Sequence, residues 1–402
     1  MAIDLSLPPE VRALVDRTRS FVREHVLPLE DAHDGDITAA GGDRFRAELQ
    51  QAARDAGVFA PHAPIEYGGH GLGMCDRAPV FEEAGYSLFG PTALNIAAPD
   101  EGNVHMLAHI ANPEQKAQYL APLAHGEVRS AFAMTEPAPG AGSDPSALTT
   151  RAVRAEGGWR IDGTKYFITG ADGAGFFIIM ARTSGEPGQR GGATMFLAPA
   201  DTPGIRVGRH LDTLDRSMVG GHCEVFFEEL LVPESAVLGE VDRGFEYAQV
   251  RLGPARMTHV MRWLGAARRG HDVAVAHVAR RQGFGSRLGD LGMIQKMIAD
   301  NEIDIAASRA LLTRACWELD RGEPAANATS IAKTFAAEAI FRIVDRSMQM
   351  CGGLGVSADL PLARLSREVR PFRIYDGPSE VHRWAIAKRA VGAAGRALRE
   401  SE

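Results

Sequence analysis

The chain is 402 residues long, 45% of them hydrophobic, and it carries a net charge of -7. This length and composition suffice for two or three domains, or for one composite domain with a sizeable core. The negative charge, without a compensating basic run, argues against a surface that binds nucleic acid.

The four cysteines, Cys75, Cys223, Cys316 and Cys351, form neither a CxxC motif nor a paired framework. This usage is typical of a reduced intracellular setting, and we expect Cys351 to be a buried thiol. The N-terminal sequence lacks a basic segment followed by an apolar core, and no apolar run of about 18 residues occurs. We therefore expect a cytoplasmic protein without a transmembrane segment.

The first part of the chain, residues 1–129, has apolar residues at helical spacing behind a Pro-Pro-Glu start. A loop rich in glycine and proline, residues 60–74, interrupts this pattern. Helical spacing resumes at residues 80–87 and 113–124. The pattern predicts an N-terminal helical domain over residues 1–129.

At Ser130 the pattern changes to short runs with a period of two, separated by glycine, proline and aspartate. We predict strands at residues 151–155, 159–162, 165–169, 176–182, 193–198, 205–209 and 224–227. Gly163 is interpreted as a turn between two of them. Strands this short and regular predict a middle antiparallel β-barrel or sandwich over residues 130–240.

Beyond Gly244 the helical period returns. Long helices are predicted at residues 255–281, 291–321 and 329–351, and a glycine pair ends the third. A last helix, residues 380–391, follows an Asp-Gly-Pro-Ser turn. The predicted fold class is α+β and mostly helical, with a C-terminal helical bundle domain over residues 241–402.

Six motifs along nearly the whole chain resemble, in type and order, those of the acyl-CoA dehydrogenase family of flavoproteins. They are residues 64–69 (PIEYGG), 132–137 (FAMTEP) with 142–144 (GSD), 163–169 (GTKYFIT), 281–285 (RQGFG), 349–353 (QMCGG) and 375–379 (YDGPS). The chain is most similar to the subgroup whose eukaryotic members are fused to a phosphotransferase-like kinase domain. Its marks are residues 98–103 (APDEGN), 252–256 (LGPAR), two extra residues before Asp144, and Asp-Gly-Pro where most relatives have Glu-Gly-Thr.

The resemblance implies an acyl-CoA dehydrogenase-like fold with a helical domain, a middle β-domain and a C-terminal four-helix bundle. It also implies FAD as cofactor and a homo-oligomer, either dimer or tetramer, whose interface the bundle builds. The chain contains neither a GxGxxG fingerprint nor a P-loop, so FAD has to be held in another way. No metal site is predicted.

By the resemblance, the flavin ring lies against the middle domain. Thr135 and Thr169 supply hydrogen bonds to the ring, and Phe132 and Met134 line the segment beside it. Phe167 stacks where many relatives have tryptophan. Without the resemblance, Phe167 would equally well be a core aromatic on a sheet face.

Arg281 and Phe284 match residues that reach the pyrophosphate and adenine half of a neighbouring subunit's FAD in the family. Arginine suits a phosphate because its planar fork makes charge-assisted contacts. The alternative is a solvated helix C-terminus.

Gln349, Gly352 and Gly353 match a segment where backbone approaches the cofactor closely, although a helix C-cap is the rival interpretation. Glu380 stands where a glutamine is usual, so the hydrogen bonds around the FAD tail are expected to differ here.

Asp376 lies on an Asp-Gly turn that would, taken alone, be a helix cap. The resemblance implies that it is the catalytic base, since Ala255 occupies the alternative position. Free aspartate titrates near roughly 3.9, so we expect an apolar pocket that raises its pKa. The side chain is one methylene shorter than glutamate, so the pocket is also expected to be shaped for it.

Substrate contacts are implied for three residues. Gly377 follows the base, Arg256 orients the loop that carries Asp376, and Ser143 contacts both the flavin phosphate and the CoA arm. His222 is an exploratory candidate for a polar group near the acyl chain; a histidine with a structural role is the alternative.

The expected function is FAD-dependent α,β-desaturation of an acyl-CoA to its trans-2-enoyl-CoA, as in fatty acid β-oxidation. The expected substrate has a medium, long, branched or 4-hydroxylated chain, and the expected electron acceptor is an electron-transfer flavoprotein. One alternative is a flavin oxidase or monooxygenase on the same fold. The other is a non-catalytic protein that binds flavin or acyl-CoA.

Overall fold

The computed structural model describes residues 6–401, and their side chains as far as Arg396. The helices are α1 (Pro9–Phe21), α2 (Leu27–Ala32), α3 (Asp43–Asp55), α4 (Met74–Ala84), α5 (Gly90–Ala93), α6 (Asp100–Ile110), α7 (Pro113–Gln115), α8 (Ala121–Ala124), α9 (Gly244–Val278), α10 (Gly292–Asp320), α11 (Ala326–Cys351), α12 (Leu362–Val369) and α13 (Ser379–Ser401). The strands are β1 (Ser130–Ala133), β2 (Arg151–Ala155), β3 (Gly158–Thr169), β4 (Phe176–Arg182), β5 (Ala193–Pro199), β6 (Ile205–His210), β7 (His222–Pro233), β8 (Val237–Leu238), β9 (Gln282–Gly283) and β10 (Ser286–Arg287).

Two single turns of π-helix join shorter helices into continuous runs. Val22–Val26 connects α1 to α2, and Lys116–Leu120 connects α7 to α8. The second run begins with a capping box, in which Asn112 and Gln115 each bond the other's backbone N–H. None of the helices within residues 6–401 combines the length and the apolar character needed to cross a bilayer.

The described chain divides into two compact units. The helical unit contains the described residues up to Gly35, then Gly73–Pro91 and the chain from Arg256 onward. The sheet unit contains Asp36–Leu72 and Thr92–Ala255. The three-domain division at residues 129 and 240 stays a prediction from sequence.

The sheet unit is built on one mixed sheet with the strand order β6-β7-β3-β2-β4-β5-β8, and β1 pairs with β4. Most neighbours are antiparallel, as the sequence predicts. The β1–β4 pair and the single β2–β4 bridge are parallel. Buried aromatic residues, among them Trp159, Phe177 and Phe196, fill the core on this sheet.

Gly163 is not the turn that the sequence pattern predicts. It lies inside β3, which runs unbroken from Gly158 to Thr169 and shifts its register against β7 at this point. A Cβ atom on Gly163 would lie only 2.4 Å from the Thr150 hydroxyl oxygen. The glycine is therefore needed for close approach within the sheet, and the sequence alone does not distinguish that need from a turn.

The predicted start of the first long C-terminal helix is also wrong. The prediction placed it at Ala255, after a Gly-Pro pair, whereas α9 begins at Gly244 and contains Pro254. Proline removes one helical N–H and usually ends a helix. Here the helix continues through it, so the proline is not a boundary. The other two long helices begin and end within three residues of their predicted bounds.

The core of the helical unit includes a cluster where α9, α11 and α12 meet, with Val278, Met350 and Leu362 among its members. Cys351 belongs to this cluster, and burial raises the pKa of its thiol to about 11. The structure thus confirms the prediction of a buried, protonated thiol at this position.

A buried carboxylate joins four segments of the helical unit. Glu30 is fully buried at the end of α2 and accepts hydrogen bonds from the Ser87 hydroxyl at 2.7 Å and the Leu88 N–H at 2.8 Å. It also accepts from Arg269 on α9 at 2.7 Å and Arg364 on α12 at 3.1 Å. The charge is compensated on every side, so removing it would leave two buried guanidinium groups short of a partner.

We expect Glu30→Gln to lower the free energy of unfolding by about 3–5 kcal/mol, as is usual when one partner of a buried ion pair is removed. Urea denaturation followed by circular dichroism measures this change. The matched control is Glu10→Gln, on the exposed face of α1, which should change stability by less than about 0.5 kcal/mol. Equal stabilities of the two variants would contradict this role for Glu30.

Candidate active site

The turn that carries Asp376 follows a short 3-10 helix, Arg370–Arg373, and ends where α13 begins. Asp376 and Gly377 both have positive φ angles, +53° and +94°. Aspartate tolerates the left-handed region better than most residues, and glycine enters it freely. The Asp-Gly pair thus lets the chain reverse sharply just before the helix.

The carbonyl oxygens of this turn are held from three helices. Arg256 Nε on α9 donates to the Asp376 carbonyl at 3.0 Å, and His382 Nε2 on α13 donates to the same oxygen at 3.1 Å. Lys333 Nζ on α11 donates to the Gly377 carbonyl at 2.7 Å. The backbone of the turn is therefore fixed by side chains that reach it from three directions.

The protonation of His382 follows from these bonds. Its Nε2 has to carry the proton because a carbonyl oxygen only accepts. Its Nδ1 lies 3.2 Å from the Ser330 hydroxyl oxygen. Burial, and then the nearby Arg256 charge, lower the pKa of His382 to about 4. At neutral pH the ring is therefore a neutral donor to the turn.

The groups of the helical unit around Asp376 are charged. Burial lowers the pKa of Lys333 to about 8 and lowers that of Arg256, while the Asp376 carboxylate opposes both shifts. Because the attraction is mutual, the same cations stabilise the ionised carboxylate. Two cations thus lie beside the turn. The apolar pocket that raises the pKa of Asp376 when substrate excludes water stays a prediction.

Sequence reasoning missed three residues of this cluster. His259 Nε2 lies 3.4 Å from Asp376 Oδ2, and Lys333 and His382 bind the turn. The signal for His259 is its position three residues beyond Arg256, on the same helical face. The signal for Lys333 is a single charge within an apolar helical run. No local pattern marks His382, whose partners are carbonyl and hydroxyl oxygens.

In the sheet unit, a buried ion pair organises the segment after β1. Glu136 lies 2.9 Å from Lys165 Nζ, and both side chains are almost fully buried. The same ammonium donates to the Met134 carbonyl at 3.1 Å and to the Met180 carbonyl at 2.7 Å. Burial lowers the pKa of Lys165 to about 8, but the adjacent carboxylate keeps the pair charged at neutral pH.

Glu136 also ties down the far end of the following loop. It accepts from the backbone N–H groups of Thr149 at 2.7 Å and Thr150 at 2.8 Å, and from the Ala141 N–H at 3.2 Å. Burial raises the pKa of Glu136, but Lys165 and these hydrogen bonds outweigh it and bring the pKa to about 2. Ser143 lies on the exposed part of this loop.

Phe167 lies on a bulge of β3. The register against β7 shifts between Lys165 and Ile168, and Phe167 has a φ of +56° there. Its side chain is 50% exposed, which excludes the interpretation as a sheet-face core residue. The bulge also brings the neighbouring Tyr166 N–H to the Thr135 carbonyl at 2.8 Å. Thr135 and Phe167 are thus brought to one region of the sheet unit, as bulges near functional sites do.

Thr169 at the end of β3 is bonded to a histidine and an aspartate. Its hydroxyl lies 2.9 Å from His222 Nδ1, and His222 Nε2 lies 2.7 Å from Asp215 Oδ2. The carboxylate accepts from Nε2, so in the neutral ring Nδ1 accepts from the threonine hydroxyl. His222 therefore holds Thr169 in place, which agrees with the structural alternative for this histidine. Its nearness to an acyl chain stays a prediction.

Phe132 lies on β1, beneath the guanidinium of Arg251, whose Cζ is 4.4 Å from the ring centroid. Arg251 Nε donates to Asn103 Oδ1 at 2.7 Å, and Asp100 Oδ1 accepts from the Ser130 N–H at 2.8 Å. The APDEGN segment thus anchors the start of β1 and, through Arg251, the aromatic ring.

The remaining predicted cofactor residues lie on the surface of the helical unit. Arg281 and Phe284 belong to the β9–β10 hairpin, where Phe284 at the two-residue tip is 95% exposed. Gln349, Gly352 and Gly353 are exposed at the end of α11. Glu380 is exposed in the first turn of α13, with Arg383 at 3.8 Å.

Three domain models of one protein family match successive parts of this chain. The acyl-CoA dehydrogenase N-terminal, middle and C-terminal domain models match residues 8–127, 131–230 and 242–391. The chain belongs to the acyl-CoA dehydrogenase family. As a member, it is an oxidoreductase that acts on CH–CH bonds, and the family resemblance found in the sequence motifs is confirmed.

Relatives of this family member align over nearly all of its length. It is 37% identical to probable acyl-CoA dehydrogenase FadE2 of Mycobacterium tuberculosis over 389 residues, which cover 94% of this chain and 95% of the relative. It is 35% identical to mouse acyl-CoA dehydrogenase family member 11 over 93% of this chain but only 49% of the relative. The chain thus spans about half of that relative's length, as expected for the subgroup with a fused domain.

A solved structure from Mycobacterium abscessus resembles this family member with a TM-score of 0.89 and 35% sequence identity. The match covers 97% of this chain and 100% of the solved one. The fold class predicted from sequence, with helical, sheet and helical regions in that order, is thereby confirmed.

The Glu136 carboxylate should make the stability of the dehydrogenase fold fall in acid. The unfolded group takes up a proton as the pH falls through about 4.5, whereas the folded group stays charged down to about 2. Its contribution is therefore complete above 4.5 and is lost as the pH falls towards 2.

When the pH is lowered from 6 to 3.5, loss of the Glu136 contribution should reduce the free energy of unfolding by about 1.4 kcal/mol. Urea denaturation at each pH measures this change. Glu136→Gln should be less stable at pH 6 and should lack this part of the slope. Glu156→Gln, at the exposed β2–β3 turn, should keep the wild-type slope. An unchanged slope in Glu136→Gln would contradict the assignment.

Gly377→Ala should displace the Asp376 turn. Gly377 has a φ of +94°, and an added Cβ would lie 2.8 Å from His382 Nε2, one of the groups that hold the turn. We expect a stability loss of about 1–3 kcal/mol together with a fall in activity. Gly188→Ala is the matched control, because its φ of +91° is similar and its Cβ would meet no atom within 4 Å. Loss of stability without loss of activity in Gly377→Ala would show that the turn does not serve the reaction.

Proposed function

We propose that this chain is an FAD-dependent acyl-CoA dehydrogenase that converts an acyl-CoA to its trans-2-enoyl-CoA, with Asp376 as the base. The observation that carries the proposal is a carboxylate on a backbone turn whose carbonyl oxygens are held by Arg256, Lys333 and His382. A base that removes a weakly acidic α-proton has to be held at a fixed place, and this turn provides such a place.

The residues of the sheet unit fit a flavin ring. Thr169 is held by His222, Thr135 lies beside the β3 bulge, and that bulge leaves Phe167 half exposed. Phe132 and Met134 lie on the same segment, the latter with its carbonyl bound by Lys165. These residues would hold the ring, and Ser143 on the adjoining loop would contact the flavin phosphate and the CoA arm.

The FAD tail would be held by residues of the helical unit. Arg281 and Phe284 on the β9–β10 hairpin would serve a neighbouring subunit, which the exposure of Phe284 supports, because a large aromatic side chain is rarely left in solvent without a partner. Gln349, Gly352, Gly353 and Glu380 would line the remaining part. A Cβ on either glycine would meet no atom within 4 Å, so the space beside this backbone is open.

In the proposed reaction, bound FAD supplies the acceptor for the hydride that leaves the substrate β-carbon. Asp376 takes the α-proton, and the backbone N–H of the same residue stabilises charge on the thioester oxygen. Gly377 and Arg256 keep that backbone in position. Exclusion of water by the bound substrate would raise the pKa of the carboxylate and make it a better base.

The substrate class, acceptor and assembly belong to the same proposal. We propose a medium, long, branched or 4-hydroxylated acyl chain, an electron-transfer flavoprotein as acceptor, and a homo-oligomer, dimer or tetramer, in the cytoplasm. An anaerobic screen with straight, 2-methyl and 4-hydroxy acyl-CoAs, followed by flavin absorbance, ranks these substrates.

Asp376→Asn should keep its yellow FAD but lose reduction by acyl-CoA under anaerobic conditions, by about 10²–10⁴-fold in rate. Stopped-flow absorbance at the flavin band measures the rate. Asp345→Asn, an exposed carboxylate on α11, is the control and should react like the wild type.

Full bleaching of the Asp376→Asn flavin would remove Asp376 from the mechanism. Rapid oxygen consumption by the wild type without an added acceptor would favour a flavin oxidase or monooxygenase instead. Tight acyl-CoA binding without flavin reduction at any chain length would favour a non-catalytic binding protein.

A further inference from the structure

A histidine lies directly beside the Asp376 carboxylate. His259 is on α9, one turn beyond Arg256, and its Nε2 is 3.4 Å from Asp376 Oδ2. Both side chains are largely shielded from solvent, with exposed fractions of 7% and 17%. This distance is longer than a usual charge-assisted hydrogen bond, so the contact is a close approach of the ring to the carboxylate.

The position of the ring proton follows from a second contact. An amino group of Arg262 lies 2.9 Å from His259 Nδ1, within the buried part of the unit. A guanidinium group only donates hydrogen bonds, so Nδ1 has to accept and cannot carry the proton. In the neutral ring the proton is therefore on Nε2, the nitrogen that faces Asp376.

Charged and titratable groups surround the pair. Arg262 occupies the Nδ1 lone pair with a cationic donor. The hydroxyl of Tyr375 lies 3.4 Å from the same nitrogen, while Arg256, Lys333 and neutral His382 face the backbone of the turn. The nitrogen of His259 that faces the carboxylate is therefore the one that carries an N–H donor.

Neighbouring aromatic rings restrict the motion of the His259 imidazole. The ring centroid of His259 is 4.8 Å from that of Tyr375 and 5.8 Å from that of Phe372. The indole N–H of Trp263 in turn donates to the Tyr375 hydroxyl. A ring packed in this way has little freedom to leave the carboxylate.

A short aspartate needs such a partner. Its carboxylate rotates about the last side-chain bond, and that torsion has only broad preferences of its own. A displacement of about 1 Å at a reacting atom can lower a rate about 10²-fold. The bonds to the carbonyl oxygens fix the backbone, but they leave this torsion undetermined.

We propose that His259 is a positioning residue for Asp376. When the substrate is bound and the contact tightens, its Nε2–H donates to Oδ2 and thereby presents Oδ1 to the substrate. In the proposed reaction the Cα–H and Cβ–H bonds break, and the α-proton goes to Oδ1. The electron pair of the Cα–H bond forms the Cα=Cβ double bond, and FAD would accept the hydride that leaves Cβ. His259 keeps its own proton throughout. This inference rests on the proposed function, because the substrate and the base are those of the dehydrogenation.

The test compares His259→Gln with His259→Leu and His259→Asn in the FAD-loaded enzyme. The glutamine amide nitrogen reaches about as far as Nε2 and keeps a donor that cannot titrate, whereas leucine has no donor and asparagine ends too short. We expect leucine and asparagine to slow anaerobic flavin reduction about 10²-fold with KM changed less than about twofold, and glutamine to recover most of the rate.

The pH dependence of kcat/KM distinguishes positioning of the carboxylate from a merely structural role, which would leave it unchanged. Removing the N–H donor beside the charged carboxylate favours the protonated form of that carboxylate. The acid limb of kcat/KM should therefore move to higher pH in the leucine and asparagine variants and stay in place with glutamine. His277→Gln, further along α9, is the control and should match the wild type in rate and profile.

Infrared difference titration of the substrate-free protein gives a reading without turnover, with Asp376→Asn used to assign the carboxyl band. If the wild type fails to reduce its flavin, the proposed function fails, but the band shift in His259→Leu or His259→Asn still tests the pairing. Wild-type rate and acid limb in the asparagine variant would overturn the inference. A glutamine variant as slow as asparagine would also overturn it, because the N–H donor would then not be the group that matters.

Discussion

The structure of the candidate site depends on hydrogen bonds to two carbonyl oxygens. Asp376 and Gly377 are consecutive residues in the left-handed region, a conformation that persists only when its surroundings over-determine it. Donors from α9, α11 and α13 meet at these two oxygens, and each helix contributes one. A turn fixed in this way has lost most of its conformational entropy during folding, so little remains to be lost when a substrate binds.

Both units use the same physical device, a buried lysine that bonds backbone carbonyls and is balanced by a carboxylate. Lys165 binds the Met134 and Met180 carbonyls beside Glu136, and Lys333 binds the Gly377 carbonyl in the field of Asp376. Burying an ammonium group is unfavourable unless its donors and charge are matched. The difference lies in the carboxylate. Glu136 is saturated by backbone N–H groups of its own loop, whereas Asp376 belongs to the turn that the cation holds.

The sequence pattern correctly predicted those elements that depend on residues close together in the chain. The long helices α10 and α11 follow from the period of their apolar residues, and the contact of Arg256 with the Asp376 turn was expected from the motifs that carry both residues. Gly163 and Pro254 misled the prediction because the same residues mark turns in some contexts and close approach or a tolerated helix interior in others.

The residues that sequence reasoning missed have partners far along the chain. Lys333 binds a carbonyl 44 residues away, and His259 faces a side chain of a distant turn. A backbone carbonyl is present at every residue, so nothing in the sequence indicates which one a side chain will meet. His222 shows the same limit, because its bond to Thr169 depends on strand pairing between β3 and β7.

The shortness of the aspartate side chain explains why so many hydrogen bonds fix the turn that carries it. The reacting oxygen of an acidic side chain is placed by the backbone and by the torsions between backbone and carboxylate. Aspartate has one torsion fewer than glutamate, so it loses less entropy when fixed but cannot adjust its reach. Any displacement of the backbone therefore also displaces the reacting carboxylate oxygen, because no further torsion can compensate for it. A shorter base therefore requires a stiffer turn, and the bonds from Arg256, Lys333 and His382 supply that stiffness.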